Sequence, residues 1–159
     1  MTERKMRVGG IQIYRHLSMI SILGAPHGPG TAGVVLEALG NAGINVEFIS
    51  CCPDSGGGDN IVVCVERTRL GDALSRLETV REHIRPLGLT TREGLVCVAV
   101  FGPHFREIPA VAGRIFRTLA DAGVNLLAIS TSVSSVTSLF EESLLDQGVE
   151  ALHRRFEVG

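Results

Sequence analysis

Chemistry in this chain must come from a small set of side chains, four cysteines and five histidines among 159 residues. Cys51 and Cys52 are adjacent, and Cys64 and Cys97 each lie inside an apolar run. There is no CxxC and no paired Cys/His spacing, so neither a zinc site nor a disulfide framework is indicated. The cysteines read as small hydrophobes in a reducing compartment. No sequence pattern sets a nucleophile next to a base, and there is no Walker loop. No catalytic residue, metal or cofactor is therefore expected.

Recognition chemistry remains. The stretch Pro26, His27, Gly28, Pro29, Gly30 follows an apolar run and precedes a helical pattern. The first N–H groups of a helix lack partners and favour an anion, and glycines allow close backbone approach. A carboxylate-bearing ligand fits such a loop. Asn45 and Asn125 each offer a donor and an acceptor, and Ser130, Thr131 and Ser132 add hydroxyls at a strand end. The bland readings stand beside these: a tight strand-to-helix turn, amides satisfying a bend, and polar residues ending a strand. His27 and His104 read as exposed loop residues, and His16, His83 and His153 as surface or capping residues.

These residues sit on a duplicated scaffold. Ala32–Ser50 (AGVVLEALGNAGINVEFIS) aligns with Ala112–Ser130 (AGRIFRTLADAGVNLLAIS) at an offset of 80, with eight of nineteen positions identical. Two copies at that period make a duplicated domain, not a solenoid. Met19–Gly24 corresponds to Cys97–Gly102, and Pro29 and Pro109 suit the first turn of each helix. The helices stop at Ala42-Gly43 and Ala122-Gly123, where Gly can take the left-handed conformation. Strands are expected over Ile44–Ser50 and Val124–Ser130. A turn over Asp54–Asn60 leads to a strand Ile61–Glu66, and Thr131–Ser135 is the corresponding connection. Helical spacing follows at Leu70, Ala73, Leu74, Leu77 and at Leu144, Leu145, Val149, Leu152. The order strand, helix, strand, strand, helix, strand is ferredoxin-like, an α+β fold. Arg7–Tyr14 adds a candidate extra strand outside the repeat.

Bulk properties narrow the class further. With 45% hydrophobic residues, 4% aromatics, no Trp and a net charge of −2, the chain is globular and shows no basic groove with stacking platforms, so nucleic acid is not an expected partner. No apolar run is long enough to span a membrane, and Met1–Arg7 is charged without an apolar stretch behind it. A cytoplasmic protein is expected.

The segments GAPHGPG (Gly24–Gly30), LGNAGINVEFI (Leu39–Ile49), LADAGVNLLAISTS (Leu119–Ser132) and ALHRRFEV (Ala151–Val158) resemble the ACT domains, and among them the tandem pair forming the regulatory region of aspartokinases. The resemblance implies two ferredoxin-like βαββαβ units packed side by side, 17–92 and 93–159, the second joined by the N-terminal strand 7–14. It implies a homodimer that binds an amino acid effector, lysine or threonine in class, and controls a kinase catalytic domain or subunit. Its site would draw on Ala25, Pro26, His27, Gly28, Pro29, Gly30, Asn45 and Cys51, and on Asn125, Ile129, Ser130, Thr131 and Ser132. The chain departs from the family pattern at His27, where Asp is common, at Cys51 for Gln, at Ala110 for Gly and at Val133 for Glu. The first departure removes the acidic partner expected for a ligand ammonium group. A free-standing sensor of another small ligand and a dimerisation module without ligand are the alternatives.

Overall fold

Apolar residues recur at every second position in the strands and at intervals of three and four in the helices, and they close two separate cores. The structure is a computed structural model describing residues 5–103 and 105–159; His104 lies outside the described residues. A short strand, β1 (Met6–Val8), and a long one, β2 (Gly10–Pro26), begin it. Then come α1 (Thr31–Asn41), β3 (Phe48–Pro53), β4 (Gly58–Glu66), α2 (Leu70–Thr79), the single turn α3 (Arg81–Ile84) and β5 (Gly88–Phe101). The chain continues through α4 (Val111–Asp121), β6 (Ala128–Thr131), β7 (Ser135–Glu141), α5 (Leu145–Arg155) and β8 (Phe156–Val158).

His16–Gly94 form one compact unit. Its strand order is β3-β4-β2-β5, with β4 antiparallel to both β3 and β2 and the Leu87 amide donating to the Leu23 carbonyl at 2.9 Å. This is the ferredoxin-like arrangement. Ile20 and Ile22 of β2 and Ile61, Val63 and Val65 of β4 face Val35 and Leu39 of α1 and Ala73 and Leu77 of α2, all essentially inaccessible to water. Each of the larger side chains contributes roughly 1.5–3 kcal/mol by its burial.

Residues 5–15 and Leu95–Gly159 form the other unit. Here the order is β6-β7-β5, with β7 antiparallel to both neighbours, and β1 runs parallel to β8 with Met6 opposite Phe156 and Val8 opposite Val158. The core joins Val96, Val98 and Val100 to Ile115, Leu119, Phe140 and Leu152. The Gly9 amide donates to the Phe101 carbonyl at 2.7 Å. A Cβ on Gly10 would stand 2.4 Å from the Phe101 ring, so only glycine lets this segment lie against that ring.

Several sequence expectations shift in detail. Arg7–Tyr14 is not one strand: it divides at Gly9, and its second part is the start of β2. Pro29 and Pro109 precede the helices instead of occupying their first turns. The N-caps are Gly30 (φ 103°) and Ala110 (φ 67°), conformations that proline's ring forbids. The strands expected from Ile44 and Val124 begin at Phe48 and Ala128. The intervening residues first close the helices, the amides of Ile44 and Val124 donating back to the Leu39 and Leu119 carbonyls at 3.0 Å. The turn after β3 is shorter than Asp54–Asn60, because Asp54 Oδ1 accepts from the Gly56 and Gly58 amides at 2.7 and 2.9 Å and closes it early. Asp59 and Asn60 therefore belong to β4.

Candidate functional site

The loop 26–30 is placed by three strand ends. Ala25, fully buried, and Pro53 lie on either side of Asp59 in the register of β4, so the end of β2, the end of β3 and the start of β4 meet there. The ladder between β2 and β4 is broken by a bulge between Ile22 and Ala25, where Gly24 takes a φ of 61°. A bulge of this kind re-aims the chain. The freed Gly24 amide donates to Asn60 Oδ1 at 3.0 Å. A Cβ on Gly58 would come within 2.9 Å of the Ala25 carbonyl oxygen, which holds the crossing tight.

Asp59 is buried to 8% exposure, while His27 above it is exposed. His27 Nδ1 stands 2.9 Å from Asp59 Oδ1. The hydrogen bond first, and the carboxylate's charge second, hold the imidazole above its ordinary value near 6.5 against a smaller effect of burial. The Cys51 thiol is pushed up as well, chiefly by desolvation, then by the charges of Asp59 and Cys52. Thr31 Oγ1 donates to the Pro26 carbonyl at 3.2 Å and ties the loop to the first turn of α1. Gly30 caps α1 without a side-chain hydrogen bond. An anion-favouring helix start and a carboxylate therefore stand at the same end of one unit.

The structure brings Ala25, Pro26, His27, Gly28, Pro29, Gly30 and Cys51 to this end. Asn45 is elsewhere: it precedes Phe48, which lies roughly 17 Å of strand from Pro53 at the opposite end of β3. Asn125 is exposed in the equivalent turn before β6. Ile129, Ser130 and Thr131 lie exposed on β6. Ser132 is occupied by the turn into β7, its Oγ accepting from the Ser135 amide at 3.0 Å and lying 2.9 Å from Ser135 Oγ. In this second unit the loop after β5 is built differently. The Gly102 amide donates to the Ser134 carbonyl at 2.9 Å, and the Phe105 ring packs so close to Gly102 that a Cβ there would meet it at 2.7 Å.

Sequence reasoning missed Asp59 and Asn60, which sit in a string of turn residues, DSGGGDN. The available signal was strand order: in a ferredoxin-like sheet the third strand lies beside the first, so its opening residues abut the loop that follows the first. A carboxylate thus reaches this loop from β4, at Asp59. Among the described residues, no group of three His, Cys, Asp or Glu side chains is arranged to hold a metal ion, and no helix is long and apolar enough to cross a membrane.

Residues 98–156 match the ACT domain family. An aspartokinase of Bacillus sp. (strain MGA3) is 26% identical over 156 residues, which cover 98% of this chain and 38% of that protein. An aspartokinase of Pseudomonas aeruginosa is 29% identical over 154 residues, 95% of this chain and 37% of its own. The chain therefore spans well under half the length of these relatives. Among solved structures, the ligand-free regulatory subunit of aspartate kinase from Thermus thermophilus superposes with a TM-score of 0.84 at 25% identity, covering 94% of this chain and 99% of that one. A structure of aspartokinase alpha and beta subunits gives a TM-score of 0.83 at 29% identity, covering 93% and 97%. Residues 98–156 are thus a unit of ACT type. More particularly, the chain as a whole resembles the regulatory region of aspartokinases.

Proposed function

We propose that this chain binds a small amino acid effector, of the lysine or threonine class, at the loop 26–30, and thereby controls an aspartokinase-like catalytic partner. The observation that carries this reading is the buried Asp59 carboxylate, 2.9 Å from His27, at the same end of the unit as the start of α1. A zwitterion needs two opposite charges met a few ångströms apart. The N–H groups of the first turn of α1 receive the α-carboxylate. Asp59 receives the ammonium, a charge-assisted hydrogen bond for which His27 competes. Cys51 lines the same corner and accommodates the side chain. Ile129, Ser130 and Thr131 provide the corresponding surface of the second unit, where the Phe105 packing leaves a poorer polar site. The working form is a cytoplasmic homodimer, in which Asn45 and Asn125, exposed at the far strand ends, are available to ligand held by a second copy. An effector bound more tightly in one arrangement shifts the partner between states, typically by about 1–3 kcal/mol.

Calorimetric titration of the chain with lysine, threonine and a panel of other amino acids tests this. Binding of at least one, weakened by about tenfold or more in Asp59→Asn, is expected. A folded dimer that binds none of them sinks the sensor reading and leaves a dimerisation module.

A further inference from the structure

The unit formed by residues 5–15 and Leu95–Gly159 contains a cleft of about 450 Å³ that plays no part in the effector proposal. One wall is a stripe of α4 running through Ala110, Gly113, Arg114 and Arg117 to Asp121, residues three and four apart on one helix face. The other wall carries Lys5 beside β1 and Arg154 and Arg155 at the end of α5. Five of the chain's 15 lysines and arginines thus gather around one cleft in a protein of net charge −2, with Asp121 as the single carboxylate among the described residues that line it.

We propose that this cleft is a binding site for an oligophosphate, read through its phosphates and not through an attached base. Three features select that chemistry. Cations on three separate segments converge on a volume within the range of small-molecule sites, which concentrates positive potential where a flat basic face would disperse it. Two of these cations are held by exposed, weak ion pairs, Arg117 with Asp121 at 2.9 Å and Arg154 with Glu150 at 3.0 Å. Either guanidinium can turn to a multivalent anion and gain bidentate contacts that a carboxylate cannot match. Lys5 is already posted at the rim by donation from Nζ to the His153 carbonyl at 2.8 Å, with further donors to spare. The second feature is the start of α4, whose cap makes no side-chain hydrogen bond and whose residues Ala110 and Gly113 line the same cleft, so the N–H groups of its first turn add donors at one end of a stripe that closes on Asp121. Third, Phe156 is the one aromatic among the described residues lining the cleft and is only 3% exposed, hence none of them presents a ring for a base to stack on. That absence of a platform is what makes recognition independent of the base.

Titration calorimetry at low ionic strength with sodium triphosphate, ATP, GTP and adenosine tests the assignment. Triphosphate, ATP and GTP should bind within about threefold of one another and adenosine not at all, with affinity falling steeply as salt screens the cleft. The exposed-surface variant Arg114→Gln/Arg117→Gln, and separately Arg154→Gln, should each lose about tenfold, with unchanged melting curves. Arg69→Gln/Arg76→Gln, on the other unit, should lose nothing. Absence of triphosphate binding, binding of ATP alone, or an equal loss in the Arg69/Arg76 variant overturns the proposal. Tighter binding of an oligoglutamate peptide than of triphosphate also overturns it, in favour of an acidic protein surface. None of these outcomes bears on amino acid binding at the loop 26–30.

Discussion

The two helix caps Gly30 and Ala110 occupy equivalent places in the repeat and set up a reciprocal exchange. Ala110 has φ 67° and ψ 14°, a left-handed conformation that crowds a Cβ against the backbone. The cost for an L-residue is roughly 1–2 kcal/mol. Replacing Ala110 by Gly removes that cost but enlarges the unfolded ensemble, which takes back about 0.4–1 kcal/mol. Ala110 is exposed, so little packing is lost. The net gain is about 0.5–1 kcal/mol, or ~1–4 °C in melting temperature for a chain of this size. Gly30→Ala runs the other way. Its φ is 103°, and a Cβ built there meets nothing within 4 Å, so the whole effect is conformational, a loss of about 0.5–1.5 kcal/mol. Urea denaturation followed by far-ultraviolet circular dichroism, with the slope m unchanged between variants, measures both. The double exchange should return within about 0.5 kcal/mol of the parent. If Ala110→Gly destabilises by about 1 kcal/mol, as glycine does inside an ordinary helix, the strain argument is refuted.

Other expectations follow from the same geometry. Because His27 is held above its ordinary value by Asp59, the stability that this pair adds is fully present below about pH 6.5 and is lost as pH rises through the raised value; melts of the parent and of His27→Gln should converge on the alkaline side. Asp59→Asn should return the His27 imidazole toward its ordinary range in an NMR titration, and an unmoved titration curve would rule out the contact. The Cys51 thiol, pushed up by desolvation and by Asp59, should alkylate slowly near pH 8 and faster in Asp59→Asn, as mass spectrometry of the modified peptide would record. Gly10→Ala drives a methyl into the Phe101 ring and should cost about 1–3 kcal/mol in urea denaturation, partly recovered by Phe101→Leu.

The legible part of the fold was local. Val35 and Leu39, or Ile115 and Leu119, announce a buried helix face by their spacing alone, and the Ala-Gly stops are read from what glycine can do. Strand starts were less legible, because Ile44 and Val124 look like strand residues although their amides still serve the helix ends. Asp59 and Asn60 were hidden for a different reason. Turn composition and strand membership compete over DSGGGDN, and the contest is decided by Asp54, whose carboxylate closes the turn before Asp59 is reached.

From the sequence by itself came the duplication, the α+β class, the order of elements and the loop 24–30 as the place to look, since periodicity, glycine and proline act over a few residues. Tertiary structure alone decided the chemistry of that place. Asp59 lies 32 residues from His27, and strand pairing, not sequence proximity, sets them 2.9 Å apart. The basic cleft depends likewise on bringing Lys5, Arg114 and Arg154 together from three distant segments. Charge acts through space, and a sequence records only the order of the charges along the chain.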